Sequence, residues 1–335
     1  ILTDIENEWI SSVQPNMDLN VENVRKNKFG DTVEFAQGMP IVSFQPWFIA
    51  KKNGMEEGCE PLQLSWNDLD FESFVTLLGY DNSNLEDVGI INGVLRSLWN
   101  KIENRELNGP QEMIDYMQES KMHSSTKTSL SPLIFNLVNE GVIGEEYDNN
   151  FIERMSEDRV CVLNVKNWQG NLSYVQTYVD VIMKQIARAK RQGKLKKDIY
   201  LFLDEAQKFA PSSGNPSSKE TIIVAIKEWR KLGISIFLAT QFPNSVARDA
   251  KSQCSYFFVA GKSDKDVWEP ILRETGVFGS RRGVQSEALR GDWVQTFVYM
   301  KRFEWFVIDT ESNSRRWRVI RTADTLSMHK QAERG

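Results

Sequence analysis

The stretch Ile199-Tyr200-Leu201-Phe202-Leu203-Asp204-Glu205-Ala206-Gln207 decides the fold. Five consecutive apolar residues followed by two adjacent carboxylates read as a buried strand of a parallel sheet whose C-terminal end carries the acids. A strand of that kind delivers its last residues to the sheet edge where ligands of α/β folds bind. A strand that merely ends in solvent-facing acids is the alternative.

The neighbouring segments repeat the pattern. Arg159–Val165 is nearly continuous apolar strand, Leu172–Gln192 a long amphipathic helix, and Ser217–Leu232 a second helix leading into the strand Ile234–Ala239. Ser255–Ala260 reads as a further strand and Asp264–Glu274 as a further helix. Solid apolar strands alternating with helices predict a mainly parallel sheet covered on both faces. Trp293–Met300 and Phe303–Asp309 then read as a C-terminal antiparallel hairpin around Lys301-Arg302.

Upstream, residues 1–65 form an irregular α/β front part, and Ile1-Leu2-Thr3-Asp4 reads as the end of a buried strand, so that chain preceding Ile1 is expected. Residues 66–157 read as a helical insertion. Asn67 and Asp68 are candidate caps for a helix through Phe71, Phe74, Leu77 and Leu78. Leu85, Val88, Ile91, Leu95, Leu98 and Ile102 recur at helical spacing, and Pro110 and Pro132 each suit a first helical position. The expected organisation is thus 1–65 and 158–325 as one α/β core, 66–157 as the insertion and 326–335 as a tail.

Composition narrows the class. With 41% hydrophobic and 26% charged residues in 335, the chain suits a globular protein of one large or two smaller domains. Its net charge of −5 means that any nucleic-acid contact must come from local basic clusters. Three are available: Lys184, Arg188, Lys190, Arg191, Lys194, Lys196 and Lys197; then Arg281-Arg282; then Arg315-Arg316-Arg318. The first is more often a solvated face and helix end. Cys59, Cys161 and Cys254 form no CxxC pair and are odd in number, which points to a reducing, cytoplasmic compartment. His123 and His329 lie near no cysteine, which disfavours a zinc site. No apolar run approaches the ~20 residues of a membrane span, so no membrane partner is expected.

The chemistry sits at two strand ends. Apolar residues followed by Asp204-Glu205 form the Walker B pattern, in which the first carboxylate can hold Mg²⁺ through water and the second can orient and deprotonate an attacking water. One helix later the strand ending in Ala239-Thr240-Gln241 offers polar groups that can touch both a γ-phosphate and that water. Gly261-Lys262-Ser263 mimics the end of a phosphate loop but follows Tyr256 where the first loop glycine should stand. It lacks the glycine-rich turn that aims backbone N–H groups at phosphates.

Three runs resemble successive motifs of the HerA–FtsK superfamily of P-loop ATPases: Asp204-Glu205-Ala206-Gln207-Lys208-Phe209-Ala210-Pro211, Glu228-Trp229-Arg230-Lys231-Leu232-Gly233 and Ala239-Thr240-Gln241-Phe242-Pro243. Asp4-Ile5-Glu6-Asn7-Glu8-Trp9 is similar to the family's Asp-x-x-Gly-Glu-Tyr strand end, with Asn7 in place of Gly. Trp229 likewise replaces a family glycine. The resemblance implies an α/β fold with a RecA-like core. It implies ATP and Mg²⁺ as ligands, with Asp204 on the metal and Asp204 and Thr240 on the nucleotide. Glu205, Gln241 and Arg230 would be catalytic, Arg230 as a finger reaching the next subunit's phosphate; a cation near a helix C-terminus is its plainer explanation. It further implies a ring, most simply a hexamer, that translocates double-stranded DNA with a NurA-type nuclease or another effector as partner. A viral packaging or conjugative motor, or a non-catalytic scaffold with a degenerate site, remain alternatives. The family's GxxxxGK(S/T) loop occurs nowhere in the 335 residues, and it is expected, with a small β-barrel before it, upstream of Ile1.

Overall fold

The computed structural model describes residues 2–4, 41–80, 89–107, 109–121, 123–147, 150–157, 159–168, 171–260, 271, 299–300, 304–310 and 317–321. Six strands form one sheet: β1 (Leu2–Asp4), β2 (Ile41–Pro46), β3 (Cys59–Leu62), β4 (Val160–Asn164), β5 (Ile199–Leu203) and β6 (Ile234–Leu238). Their order is β3-β2-β4-β1-β5-β6 and every pairing is parallel. The parallel reading of the apolar runs therefore holds for β4, β5 and β6. The front strand is central: β1 sits between β4 and β5, with Asp4 in register with Asn164 and Leu2 with Phe202.

Nine helices accompany the sheet among the described residues. Helix α1 (Trp47–Asn53) lies between β2 and β3. Then come α2 (Phe71–Leu77), α3 (Gly89–Glu103), α4 (Pro110–Glu119), α5 (Ser124–Asn139) and α6 (Phe151–Ser156), all before β4. Helix α7 (Leu172–Arg191) joins β4 to β5, α8 (Ser217–Glu228) joins β5 to β6, and α9 (Arg248–Ser252) follows β6. One hydrophobic cluster runs from the insertion into the sheet: Phe74, Leu95, Leu98, Met113, Leu130 and Leu137 share it with Leu163, Ile182, Leu201 and Ile222.

Two local expectations are corrected. The cap of α2 is Asp70, whose Oδ1 accepts the Ser73 N–H at 2.9 Å, because Asn67 and Asp68 belong to a separate short turn, Trp66–Asp68. Pro132 lies inside α5 instead of opening a helix. The ring removes the N–H that would reach Thr128 O, and the hydroxyls around it bond to other carbonyls of the helix, Thr128 Oγ1 to Ser124 O and Ser131 Oγ to Lys127 O, both at 2.9 Å. The helix starting at Pro110 and the run Leu95, Leu98, Ile102 are as the spacing predicts, while Leu85 and Val88 lie outside the described residues.

The strand Tyr256–Ala260 (β7) leaves the parallel set. It pairs antiparallel with β8 (Glu304–Asp309), which pairs antiparallel with β9 (Trp317–Arg321). Its run Tyr-Phe-Phe-Val-Ala hides an alternation: Val259 joins Phe306 and Ile308 in a second small core while Tyr256 and Phe258 are exposed. The proposed hairpin partner at 293–300 lies mostly outside the described residues; the antiparallel partner that β8 shows on its C-terminal side is β9. On β5 and β6, Tyr200, Phe202 and Phe237 are 54%, 41% and 39% exposed, and the last two stack at 4.4 Å.

A buried polar hub pins α2 and α8 to α7. Asp180 is fully buried and accepts from Thr221 Oγ1 at 2.5 Å and Lys184 Nζ at 2.9 Å, with Ser73 Oγ at 2.7 Å. Lys184 also reaches Asp70 at 2.6 Å. This pairing answers the chemistry of burial, since an isolated buried carboxylate is costly and a hydrogen-bonded, paired one is tolerated. Burial alone would push the Asp70 carboxyl up, but Lys184 and the Ser73 donors outweigh it and hold it below the usual carboxylate range. Burial likewise opposes the Lys184 charge, and Asp180 and Asp70 outweigh it, holding the ammonium above the usual lysine range. Lys184 is thus a structural cation, and only the rest of its cluster remains a candidate for phosphate.

Removing the hub should be expensive. Asp180→Ala leaves Lys184 and Ser73 only their Asp70 contacts and takes away the acceptor of the Thr221 hydroxyl, and should cost about 1–3 kcal/mol in urea unfolding. Because the Asp70 carboxyl is depressed in the folded state, its contribution is present above its unfolded value and lost as pH falls through its folded one. The stability gap between wild type and Asp70→Asn should therefore be full above the ordinary carboxylate range, at about pH 5, and shrink as pH falls below that range.

Candidate functional site

Parallel pairing in register, Ile199 with Ile234 through Leu203 with Leu238, brings the ends of β5 and β6 side by side. The pairing continues past both strands, with Ala239 N donating to Leu203 O at 2.9 Å and Ala206 N to Ala239 O at 2.8 Å. Asp204 is exposed, and its Oδ1 accepts the Glu205 N–H at 2.9 Å. Glu205 takes a left-handed backbone (φ +49°, ψ +45°) and starts a short turn over Ala206–Lys208. Such a conformation costs a residue with a Cβ roughly 1–2 kcal/mol and is met where surrounding contacts impose it.

The turn gathers four polar side chains. Gln241 Nε2 donates to Glu205 Oε1 at 3.3 Å. Gln207 Nε2 donates to Glu205 Oε2, and Thr240 Oγ1 donates to Gln207 Oε1 at 2.6 Å. The Thr240 hydroxyl also accepts the Phe242 N–H at 2.9 Å. Glu205, Thr240 and Gln241, singled out by position along the sequence, thus meet in one network, and Asp204 adjoins it. Gln207 is the member that sequence reasoning passed over, although it stands two residues beyond Glu205 in the deciding stretch.

The loops that carry these groups are braced. Ser212 N donates to Ser245 O and Ala247 N to Ala210 O, both at 2.8 Å, so the loop after β6 folds back on the loop after β5. Ala206, Val246, Ala247 and Ala250 bury together beneath them. Gln176 Nε2 on α7 holds Lys208 O at 2.6 Å, and Ser218 Oγ on α8 holds Phe209 O at 2.8 Å. The site therefore rests on two strands and three helices, the condition for fixed geometry.

Arg230 lies elsewhere. It is exposed in the turn Trp229–Leu232 that links α8 to the start of β6, at the edge of the sheet opposite Glu205. Trp229 is buried in the main core and directs the turn, and Gly233, at φ +71° with Asp198 against the place of a Cβ, ends it. The basic end of α7 (Arg188, Lys190, Arg191) is at that same edge, since α7 runs into the start of β5. Arg318 is exposed on β9; Arg281, Arg282, Arg315 and Arg316 lie outside the described residues, as do Glu8 and Gly261-Lys262-Ser263. The thiols of Cys161 and Cys254 are pushed up to about 11 by burial, which makes both poor nucleophiles, and the three cysteines form no disulfide.

A cleft of about 300 Å³ opens on the C-terminal side of β2 and β4, lined by Phe48, Lys51, Asn139, Asn167, Trp168 and Tyr174 among others. It contains none of the residues named for the site, but Lys208 lies 5.4 Å over the Trp168 ring and joins it to the Glu205 turn. Among the described residues no group of three or more His, Cys, Asp or Glu is placed to hold a metal by protein ligands alone, and no helix is long and apolar enough to cross a membrane. A single exposed carboxylate such as Asp204 fits Mg²⁺, which keeps several waters and takes substrate phosphates as further ligands.

The bacterial conjugative coupling protein TrwBdeltaN70 is similar over 88% of this chain and 80% of its own, at 12% identity and a TM-score of 0.51. The fold is that of RecA-like P-loop ATPases. The family model described as Zonular occludens toxin (Zot) matches residues 154–263, a stretch that includes Asp204, Glu205, Arg230, Thr240 and Gln241. VirB4 of Thermoanaerobacter pseudethanolicus covers 88% of this chain and 83% of its own at 14% identity, with a TM-score of 0.48. The genome packaging NTPase B204 from Sulfolobus turreted icosahedral virus 2, solved with AMPPCP, covers 53% and 72% at 12% identity, with a TM-score of 0.34. Comparison by sequence with curated proteins gives no match.

The left-handed turn gives a test that needs no activity. Glu205→Gly and Glu205→Ala lose the same hydrogen bonds, but only alanine keeps a Cβ at φ +49°. The glycine variant should be the more stable of the two by about 1 kcal/mol in urea unfolding.

Proposed function

We propose that this chain is the catalytic body of an ATP-driven DNA motor. The observation that carries the reading is the meeting of Glu205 with Gln241 across neighbouring parallel strands, at the C-terminal edge where α/β folds bind ligands. In this reading Glu205 takes a proton from the attacking water, and Gln241 holds that water in line. Thr240 meets the γ-phosphate, and Asp204 holds Mg²⁺ through water. When bound, the metal neutralises charge on the phosphates.

The finer assignment is to the HerA type: a ring, most simply a hexamer, acting on double-stranded DNA beside a nuclease or another effector. Arg230 supports it, because it sits at the opposite edge of the sheet and can serve only the nucleotide of an adjacent subunit. A conjugative motor is the second reading, favoured by the likeness to the coupling protein over 88% of the chain. We retain 66–157 as an insertion between the two parts of the core, 1–65 and 158–325.

DNA-stimulated ATPase measurement on the full-length protein, with the size of the assembly, tests the proposal. Glu205→Gln should abolish turnover and leave nucleotide binding, because it removes the base and keeps the metal shell. Wild-type turnover in that variant would remove Glu205 from the mechanism. Arg230→Ala should be inactive alone, and mixing it with Glu205→Gln subunits should restore part of the rate. No rescue at any ratio would rule out a finger acting between subunits.

A further inference from the structure

We infer that Gln207 is a positioning residue of this site: its amide ties the Glu205 carboxylate on β5 to the Thr240 hydroxyl at the tip of β6. The inference rests on the reading of Glu205 as the base. Its geometric half stands on the hydrogen bonds alone.

The polarity of the link is fixed by chemistry. Glu205 as a carboxylate can only accept, so the Gln207 amide must turn its Nε2 towards it. The Oε1 end then faces Thr240 and needs a donor, which the hydroxyl supplies at 2.6 Å. Thr240 is left to accept, and the Phe242 N–H fills that role at 2.9 Å. Flipping the amide would set its carbonyl against the carboxylate and leave the hydroxyl proton facing an N–H donor. Each member therefore fixes the next.

The consequence is a mechanical coupling between the two strand tips. The Thr240 hydroxyl spends its proton on Gln207 Oε1, so the amide is anchored and holds the Glu205 carboxylate. The anchor is itself fixed, because the two strand ends are held by the Ala206–Ala239 and Ala239–Leu203 bonds. Gln241 steadies the other carboxylate oxygen but makes no contact with Thr240 of this kind. Gln207 alone in this network bonds both to the carboxylate and to the neighbouring strand's hydroxyl.

The test uses the full-length protein and three substitutions. Gln207→Met keeps the length of the side chain and removes both bonds. It should lower kcat for ATP about 10–100-fold, as expected for a misplaced base, with KM within about twofold of wild type. Gln207→Glu offers a second readout, because a carboxyl can replace the amide only when protonated, donating to Glu205 and accepting from Thr240. Its kcat should be low near pH 8 and rise towards about pH 6, while the Gln207→Met value does not. Wild-type kcat in Gln207→Met, a loss confined to KM, or parallel pH profiles for the two variants would each overturn the positioning role. Thermal unfolding of Gln207→Met, Thr240→Val and the double variant decides the link itself. A double variant little worse than either single supports it, and additive losses overturn it. Should the wild-type protein bind ATP without hydrolysing it, the ATPase reading falls, and the stability cycle still decides whether Gln207 joins the two strands.

Discussion

The in-register parallel pairing of β5 with β6 is the constraint on which the rest depends. Parallel strands must be joined by a crossover, and α8 supplies it, so both strands point the same way and end at the same edge. Residues 204–207 and 239–241, more than thirty positions apart, become neighbours for that reason alone. The pairing also explains the left-handed turn at Glu205. The chain must leave β5 while its backbone remains bonded to Ala239, and a single residue at φ +49° makes the bend. The side chain that pivots there is the carboxylate that Gln207 and Gln241 hold, so the strain lies at the centre of the polar network.

The helices transmit the same constraint inward. Helices α7 and α8 pack on the buried side of β5 and β6, and Asp180 locks them to each other and to α2. A charged group in the core is a poor source of net stability, but it permits only the arrangement in which Lys184, Ser73 and Thr221 face it. Helix α7 carries Gln176, which holds the Lys208 carbonyl, and α8 carries Ser218, which holds that of Phe209. The hub thus acts on the site through the placement of two helices, with no contact to Glu205.

Much of this was legible in the residues, for definable reasons. Strands β4, β5 and β6 and helices α3, α4 and α7 stand where apolar runs and periodicity place them, because burial decides them more than local propensity does. The acids at the end of β5 and Thr240-Gln241 at the end of β6 were readable because parallel topology fixes where a strand end goes. What escaped depends on contacts distant in sequence. Asp70 and Asp68 are equally good caps by type, and only Lys184 and Ser73 distinguish them. Pro132 reads as a helix start because the hydroxyl bonds that accompany it inside α5 leave no pattern. The unbroken apolar run of β7 conceals an alternation that becomes visible only against β8. Gln207 escaped because its role needs a partner from another strand.

The position of Arg230 carries the last step. It lies just before β6 begins, while Glu205 follows the end of β5, and five strand residues span about 16 Å. No side chain crosses that distance through a packed sheet to a phosphate held at the far edge. A catalytic part for Arg230 therefore demands a second copy whose strand starts face the strand ends of the first. A contact of that kind is heterologous, joining two different surfaces, and it repeats around a ring or along a filament; it cannot close as a two-fold pair. Between β5 and β6 the local charges suit such a contact, with Asp204 and Glu205 at the strand ends and Arg230 and Lys231 just before a strand start.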